Sequence, residues 1–373
     1  ERALWIFIPW LFFVLQEAYM KNIINYSTPK SQVQKLISQN LIIQDMEYAE
    51  QALSTFGYSN LIKSYREPYV YTNENGKKLY RDNITFEQVQ SLFLFDKGLR
   101  NSVMAAMQDL EEHVKEVAAD VIAASIGTDP SAYLNMKNYR DRKKADPKFN
   151  LAYVLNTLQG KLKVKKDPIL HYATAYGSVP PWILLKSVYF STIITFISKF
   201  KPAEQAAVAE RLYDYNSHNL TIDQCRMLMM DTLYICLDYR NTAAHGGRIY
   251  LLSPKSTLRK QEIFGNPHAG GTGYGQLLFL LGLLKYRRPY EQLRSILNKE
   301  LTRHCNEYPN DSTYLAQALN INIEYKKFVF VSDATKKFHY NPHCSGLKNA
   351  LQMELNDALS QGLTPCKRCI KAE

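Results

Sequence analysis

A three-to-four-residue spacing of apolar side chains runs from Thr85 to about Ile126 and constrains the fold more than any other feature. Such a period places the apolar residues on one face of an α-helix, and here it is kept for many turns. The positions are Phe93, Phe95, Leu99, Val103, Met107, Leu110, Val114 and Val117. The charged residues between them, among them Asp96, Arg100 and Glu111, are expected on a solvated or paired face. A helix of this length predicts a mainly α fold.

A second segment, from Thr221 to Leu237, has apolar residues on most of its circumference. A helix with that pattern is normally buried. Thr221 or Asn219 can cap its start, and the Gly246-Gly247 pair can end it. The segment predicts a buried helix that leads into a glycine turn.

The end of this helix carries groups suited to cutting RNA without a metal. Arg240 can hold a phosphate through two parallel hydrogen bonds, and His245 can transfer protons near neutral pH. Asn241 can orient either group or donate to a phosphate oxygen. On a regular helix Arg240 and His245 lie about 140° apart. They can meet at one phosphate if the helix frays at the glycines, or if a second subunit completes the site.

The same residues also have a purely structural interpretation, in which Arg240 caps a helix end and His245 is a polar residue beside a turn. A second pair, Arg211 and His218, has a similar spacing but lacks an adjacent asparagine, so we attribute it to chance.

The charge balance favours a polyanionic partner. The 373 residues include 46 Lys and Arg against 35 Asp and Glu, a net charge of +11, and nucleic acid is the first candidate. Two basic clusters are the expected contacts to an RNA backbone. They consist of Arg140, Arg142, Lys143, Lys144, Lys161, Lys163, Lys165 and Lys166. Tyrosine, with 26 residues, can stack on bases, but we expect most of these rings in the core.

The six cysteines fall into two groups. Three of them, Cys225, Cys236 and Cys305, lie in helical patterns and are expected to be buried thiols. The C-terminal residues instead predict a structural zinc site with four closed protein ligands, which leaves no position for catalytic water. Its ligands are His339, Cys344, Cys366 and Cys369. His343 can replace His339, and a redox pair or unrelated thiols are the alternative.

Residues 1–19 are expected to be either an N-terminal extension or the product of a wrongly assigned start, because Met20-Lys21 resembles a natural start. Their apolar run, Leu4 to Leu15, is shorter than the ~20 residues that cross a bilayer. An anchor at a membrane interface is the minority interpretation. We expect a cytoplasmic protein without a membrane partner.

Several segments, taken in order, resemble the AbiD/AbiF-like family of bacterial abortive-infection proteins over about residues 20–320. They are residues 34–43, 56–61 with Tyr65, 95–100, the helix through Glu111, His171-Tyr172, Pro180 to Trp182, and Arg240-Asn241-x3-His245 followed by Arg248. That family is similar to the HEPN superfamily of helical nucleotide-binding and RNase domains. Gly98 lies inside the predicted helix, where glycine is about 1 kcal/mol less favourable than alanine.

The resemblance implies an antiphage, metal-independent endoribonuclease that works as a homodimer and leaves 2′,3′-cyclic phosphate ends. Arg240, Asn241 and His245 would be its catalytic residues, with Arg248 as a further RNA contact. It also implies association with a small noncoding RNA in some members. We therefore expect a HEPN-like helical domain at 20–255, a helical extension at 256–325 and a small α+β, zinc-ribbon-like module at 326–373.

Two other functions remain compatible with the sequence. The first is a non-catalytic RNA-binding scaffold or regulator that uses Arg240 and His245 to hold phosphate. The second is a DNA-binding zinc protein, for which Lys367 and Arg368 would have to enter a groove. We rank the second last, because the tail has few side chains that could contact bases.

Overall fold

The computed structural model describes residues 25–140, 150–321, 328–332, 336–339, 344, 347 and 350–370. Predictions for residues 1–19, for Arg142, Lys143 and Lys144, for His343 and for the side chain of Cys369 lie outside this part of the chain. The chain divides into two compact units, residues 1–93 and residues 94–373.

The first unit combines short helices with a β-hairpin. Thr28 caps the first helix and Asp45 the second, each through a side-chain oxygen that accepts from a backbone N–H. The two strands pair antiparallel, with Tyr71 opposite Leu79. The elements are α1 (Pro29–Ile37), α2 (Met46–Phe56), a π-helical turn (Ser59–Lys63), a 3-10 turn (Glu67–Tyr69), β1 (Val70–Thr72) and β2 (Lys78–Tyr80).

The long amphipathic segment forms one helix, α3 (Phe86–Ser125), as its spacing predicts. Its apolar positions are buried, and acids on its outer face are paired, as in the ion pair between Glu111 and Lys115 at 2.7 Å. Asp96 lies on a paired face, as predicted, because its Oδ2 is 3.9 Å from Nε of Arg100. It is also fully buried, and its carboxylate accepts backbone hydrogen bonds from a distant loop.

The packing of α3 against a later helix explains the glycine at position 98. A Cβ atom there would lie 2.7 Å from the Cδ atom of Glu300 on a later helix. The missing side chain therefore allows a close approach that offsets the weak helix propensity of glycine.

The second unit is mainly helical. After α3 its helices are α4 (Pro130–Tyr133), α5 (Leu151–Leu162), α6 (Ile169–Ala175), α7 (Pro181–Leu184), α8 (Phe190–Ser198), α9 (Pro202–Leu212), α10 (Ile222–Ala244), α11 (Lys260–Phe264), α12 (Gly273–Gly282), α13 (Arg288–Glu307) and α14 (Asp311–Leu319). Short 3-10 turns lie at Met136–Asn138 and Leu185–Ser187. The mainly α prediction is confirmed.

Helix α10 is the buried helix that the sequence predicts, and it extends seven residues further than its apolar pattern, to Ala244. Thr221, rather than Asn219, caps it, in a capping box with Gln224. The helix packs against α8, α9, α11 and α12. This packing fixes the position of Arg240 and Asn241, which lie on its last turns.

The C-terminal residues form a small mixed sheet with two short helices. Its strands follow the order β5, β3, β4, β6; the first two pairs are antiparallel and the last is parallel. A small apolar cluster of Val329, Val331, Phe338 and Ala358 packs beneath it. The elements are β3 (Phe328–Val331), β4 (Lys337–His339), β5 (Leu351–Glu354), α15 (Leu355–Ser360), β6 (Thr364–Pro365) and α16 (Lys367–Ile370).

None of the helices in the described ranges combines the length and the apolar character needed to cross a membrane.

Candidate functional site

The Arg240 to His245 motif lies at the carboxyl end of α10, and the helix is regular through most of it. Asn241 is in the last turn, and its carbonyl oxygen accepts a hydrogen bond from the backbone N–H of His245 at 3.1 Å. His245 is the C-cap residue, and its side chain is exposed. Fraying at the glycines therefore does not bring Arg240 and His245 onto one side of the helix.

Gly246 and Gly247 end the helix for different reasons. Gly246 has a φ of +71°, which favours glycine. At Gly247 a Cβ atom would lie 2.6 Å from Cγ2 of Thr242 and 3.2 Å from its carbonyl oxygen. The turn next to His245 consequently has little freedom to accept other residues.

Two residues of α3 hold this turn. Nη1 of Arg100 donates to the carbonyl oxygen of Gly246 at 2.7 Å. Oδ1 of Asp96 accepts from the backbone N–H groups of Ile249 and Tyr250, both at 2.8 Å. Buried amides of this kind need an acceptor, and a carboxylate is a strong one. Sequence reasoning missed this role, although the four-residue spacing of Asp96 and Arg100 on one helix face was visible.

Arg240 lines a cleft of about 630 Å³. The other lining residues come from α3 and from the turn after α7, and they are Met104, Gln108, Glu111, Glu112, Lys115, Glu116 and Lys186. Lysines and carboxylates therefore face the same space as the arginine.

The carboxylates of the cleft bind groups other than Arg240. Glu111 pairs with Lys115 at 2.7 Å, and Glu116 pairs with Lys186 at 3.4 Å. Glu112 accepts a hydrogen bond from Gln108 at 3.3 Å. Among the residues that the structure describes, Arg240 makes no ion pair, and its Nη1 donates to Oδ1 of the adjacent Asn241 at 3.3 Å. Its guanidinium group keeps donors for an anion.

The second Arg and His pair has a different environment. Nη2 of Arg211 lies 2.8 Å from Oδ2 of Asp120, so the arginine is neutralised by a carboxylate. Nε2 of His218 lies 3.2 Å from the carbonyl oxygen of Leu283. Both contacts are structural, in agreement with the interpretation of this spacing as chance.

The described members of the two basic clusters are on the surface. Lys163, Lys165, Lys166 and Arg140 are exposed, whereas Lys161 is half-buried. Arg248 is exposed and follows the glycine turn directly. The structure leaves all of these cations accessible, and it does not by itself assign them a ligand.

Three of the four predicted metal ligands come together in the C-terminal module. His339 ends β4, Cys366 follows β6, and Cys344 lies in the intervening segment. One ligand atom from each lies within 4.8 Å of the others, a group that could hold a metal ion. Burial, together with Lys337, lowers the pKa of His339, which favours the neutral imidazole that metals bind.

The remaining described thiols are buried, as predicted. Cys225, Cys236 and Cys305 are fully buried and lie in helices. Burial raises the pKa of Cys225 to about 11 and that of Cys305 to about 12, and it also raises the pKa of Cys236. These thiols are therefore unsuited to nucleophilic or metal chemistry near neutral pH.

The fold and the site describe a mainly helical protein in which one helix carries an arginine in a cleft and ends at an exposed histidine, with a small C-terminal Cys/His module. The family model described as Abi-like protein matches residues 51–251, more than half of the chain. The chain belongs to the Abi-like protein family, and this membership gives it an abortive-infection role. Comparison with curated proteins found no match, and comparison with solved structures found none.

Proposed function

We propose that this abortive-infection protein is a metal-independent endoribonuclease whose catalytic residues are Arg240, Asn241 and His245. The observation that carries the proposal is the state of Arg240, which lies in a cleft where each carboxylate binds another partner. A guanidinium group with free donors is suited to a phosphodiester and to the charge that develops on it during cleavage.

His245 supplies the proton transfer in this proposal. It acts as general base on a ribose 2′-hydroxyl or as general acid on the leaving oxygen. Its side chain is exposed, and the turn behind it is held by Asp96 and Arg100, so an RNA strand can reach it without loss of its position. Asn241 binds the arginine and orients it.

The proposed active unit is a homodimer. Because α10 stays helical to Ala244, the five-residue separation leaves Arg240 and His245 about 140° apart within one chain. A second chain that brings its own Arg240 to the first chain's His245 completes the site. We also propose that the exposed basic residues and Arg248 contact RNA, and that the protein associates with a noncoding RNA.

The C-terminal module is proposed to bind structural zinc through His339, Cys344, Cys366 and Cys369. A ligand-to-metal distance of about 2.0–2.3 Å in a tetrahedral site is compatible with donor atoms this close together. When bound, the metal supplies folding energy that the small apolar cluster beneath the sheet cannot supply alone. No catalytic step involves it.

A non-catalytic RNA scaffold is the second candidate, and it is favoured by the separation of Arg240 and His245 within one chain. Gel assays on RNA with and without EDTA, with analysis of the product ends, distinguish the two. The nuclease gives EDTA-resistant cleavage with 2′,3′-cyclic phosphate and 5′-hydroxyl ends. The scaffold binds the same RNA and leaves it intact.

A further inference from the structure

The segment from α5 to the start of α8 exposes large aromatic side chains to an unusual extent. Tyr176 is 69% exposed and Tyr189 is 71% exposed, although tyrosine is normally at least half-buried in a fold of this size. Trp182 is 38% exposed in the same segment. Exposed rings concentrated in one segment indicate a surface for binding.

The same segment is rich in lysines. Residues 151–189 contain five lysines, Lys161, Lys163, Lys165, Lys166 and Lys186, against the single acid Asp167. The carboxylate of Asp167 accepts the backbone N–H of His171 at 3.1 Å and so caps the start of α6. Lys186 pairs with Glu116 of α3, but the four lysines at 161–166 leave the segment with a net positive charge, and a second copy of it would be repelled.

Two contacts show how rings and charges are arranged. Nζ of Lys161 lies 5.5 Å from the centroid of the Tyr189 ring, which links the end of α5 to the start of α8. On α6, the rings of Tyr172 and Tyr176 are 5.3 Å apart, and His171 lies within 6.0 Å of both. Residues 163–168, which carry Lys163, Lys165 and Lys166, join α5 to α6.

We propose that this surface, defined by Lys161, Lys163, Tyr172, Tyr176 and Tyr189, binds unpaired RNA by base stacking. A base stacks on an exposed tyrosine ring while a neighbouring lysine contacts the phosphate of the same strand. Duplex RNA hides its base faces and would use the lysines alone. The proposal rests on the nuclease function for the identity of its ligand, and it adds a site outside Arg240 and His245.

The segment that carries this surface also contributes a residue to the candidate catalytic cleft. Trp182 on α7 precedes Lys186 by four residues, and Lys186 lines the cleft together with Arg240. The same segment therefore contributes residues both to the proposed RNA surface and to the cleft that Arg240 lines.

The test measures binding separately from cleavage. The full chain with His245→Ala is titrated with a fluorescent 12-nucleotide unstructured RNA and with a blunt duplex of equal length, and anisotropy is recorded. Tyr189→Leu combined with Tyr176→Leu is expected to weaken single-strand binding about tenfold and to leave duplex binding nearly unchanged. Tyr189→Phe with Tyr176→Phe keeps both rings and should bind like the parent.

Tyr71→Leu is the matched control, because Tyr71 is a 47% exposed tyrosine on β1. Tyr189 contributes no side-chain cap to α8, so its replacement leaves the helix start intact. Equal affinity of the leucine and phenylalanine variants for the single strand would overturn the proposal. Equal weakening of single-strand and duplex RNA binding in the leucine variant would also overturn it. The same variants are titrated with anionic lipid vesicles, and an effect of Tyr189 on vesicle binding but not on RNA binding would overturn it too.

Failure of this proposal is distinguishable from failure of the nuclease. If the wild-type chain cleaves RNA and the leucine variant binds RNA as well as its parent, the stacking surface is wrong and the nuclease proposal stands. If RNA binding depends on the tyrosine rings but the wild-type chain does not cleave RNA, the stacking surface stands and the nuclease proposal is wrong.

Discussion

Arg100 on α3 donates a hydrogen bond from Nη1 to the carbonyl oxygen of Gly246, 146 residues further along the chain, at 2.7 Å. One helical turn earlier, Asp96 accepts the backbone N–H groups of Ile249 and Tyr250. The turn that follows His245 is thus fixed from a helix remote in sequence. A proton-transferring side chain needs such support, since a displacement of about 1 Å can cost about a hundredfold in rate.

Replacement of Asp96 tests this support. Asp96→Ala leaves two buried N–H donors without their acceptor, and we expect it to destabilise the fold by about 2–4 kcal/mol. Asp96→Asn keeps an acceptor oxygen and should lose less. Thermal denaturation measures the stability of the variants. The rate of RNA cleavage, measured below the melting temperature, reports whether His245 keeps its position. An Asp96→Ala protein with unchanged stability and unchanged cleavage would contradict the role assigned to Asp96.

Gly247 offers a second test of the same turn. Gly247→Ala forces its new methyl group towards Cγ2 and the carbonyl oxygen of Thr242, and we expect a loss of about 1–3 kcal/mol. Gly160→Ala on α5 is the control, because its Cβ meets no atom within 4 Å. That control should be neutral or stabilise the helix by up to about 1 kcal/mol.

A double variant separates contact from conformation at Gly247. Thr242→Ala removes the nearest methyl group, so it should restore part of the stability that Gly247→Ala loses. Additive losses, measured in the same thermal denaturation assay, would show that the Thr242 contact does not matter.

The sequence predicted the framework of the fold through long, regular patterns. The apolar period of α3 and the apolar circumference of α10 are local signals, and the helices follow them closely. The C-terminal grouping of His339, Cys344 and Cys366 followed from residue type and spacing alone.

The support of the site was not predictable in the same way. Asp96 was interpreted as part of a solvated or paired face, because a single charge on an amphipathic helix usually is. Its burial depends on the path of the loop through Ile249 and Tyr250, a long-range contact that leaves no periodic signal. The exposure of Tyr189 has no sequence signal either, and most of the tyrosines were expected in the core.

Mixing two inactive variants tests the dimer. If each site takes Arg240 from one chain and His245 from the other, Arg240→Ala and His245→Ala chains form mixed dimers with one intact site. An equal mixture after exchange of subunits should then recover about a quarter of the wild-type rate. Mass measurement by light scattering confirms that dimers form.

The same mixture has a clear contrary result. Absence of recovery in dimers that demonstrably exchange would place both groups of each site on one chain.

Thiol labelling tests the division of the cysteines. At pH 8 the raised pKa of Cys225 and of Cys305 leaves about one thiol in a thousand or fewer ionised, and burial blocks access as well. We expect these two and Cys236 to stay unlabelled in the folded chain. A strong chelator should expose the thiols of Cys344, Cys366 and Cys369 if they bind zinc. Mass spectrometry of labelled peptides identifies the sites, and fast labelling of Cys225 would contradict the assignment.

The most direct measurement compares His245→Ala with His218→Ala in an RNA cleavage assay that contains EDTA. His218 is the matched control, since it is a histidine of the same unit that contacts a backbone carbonyl. We expect His245→Ala to lose at least about a hundredfold in rate with little loss of RNA affinity, and His218→Ala to cleave like the wild type. Cleavage that persists in His245→Ala, or that disappears in the wild type when EDTA is added to an intact fold, would contradict a metal-independent nuclease that depends on His245.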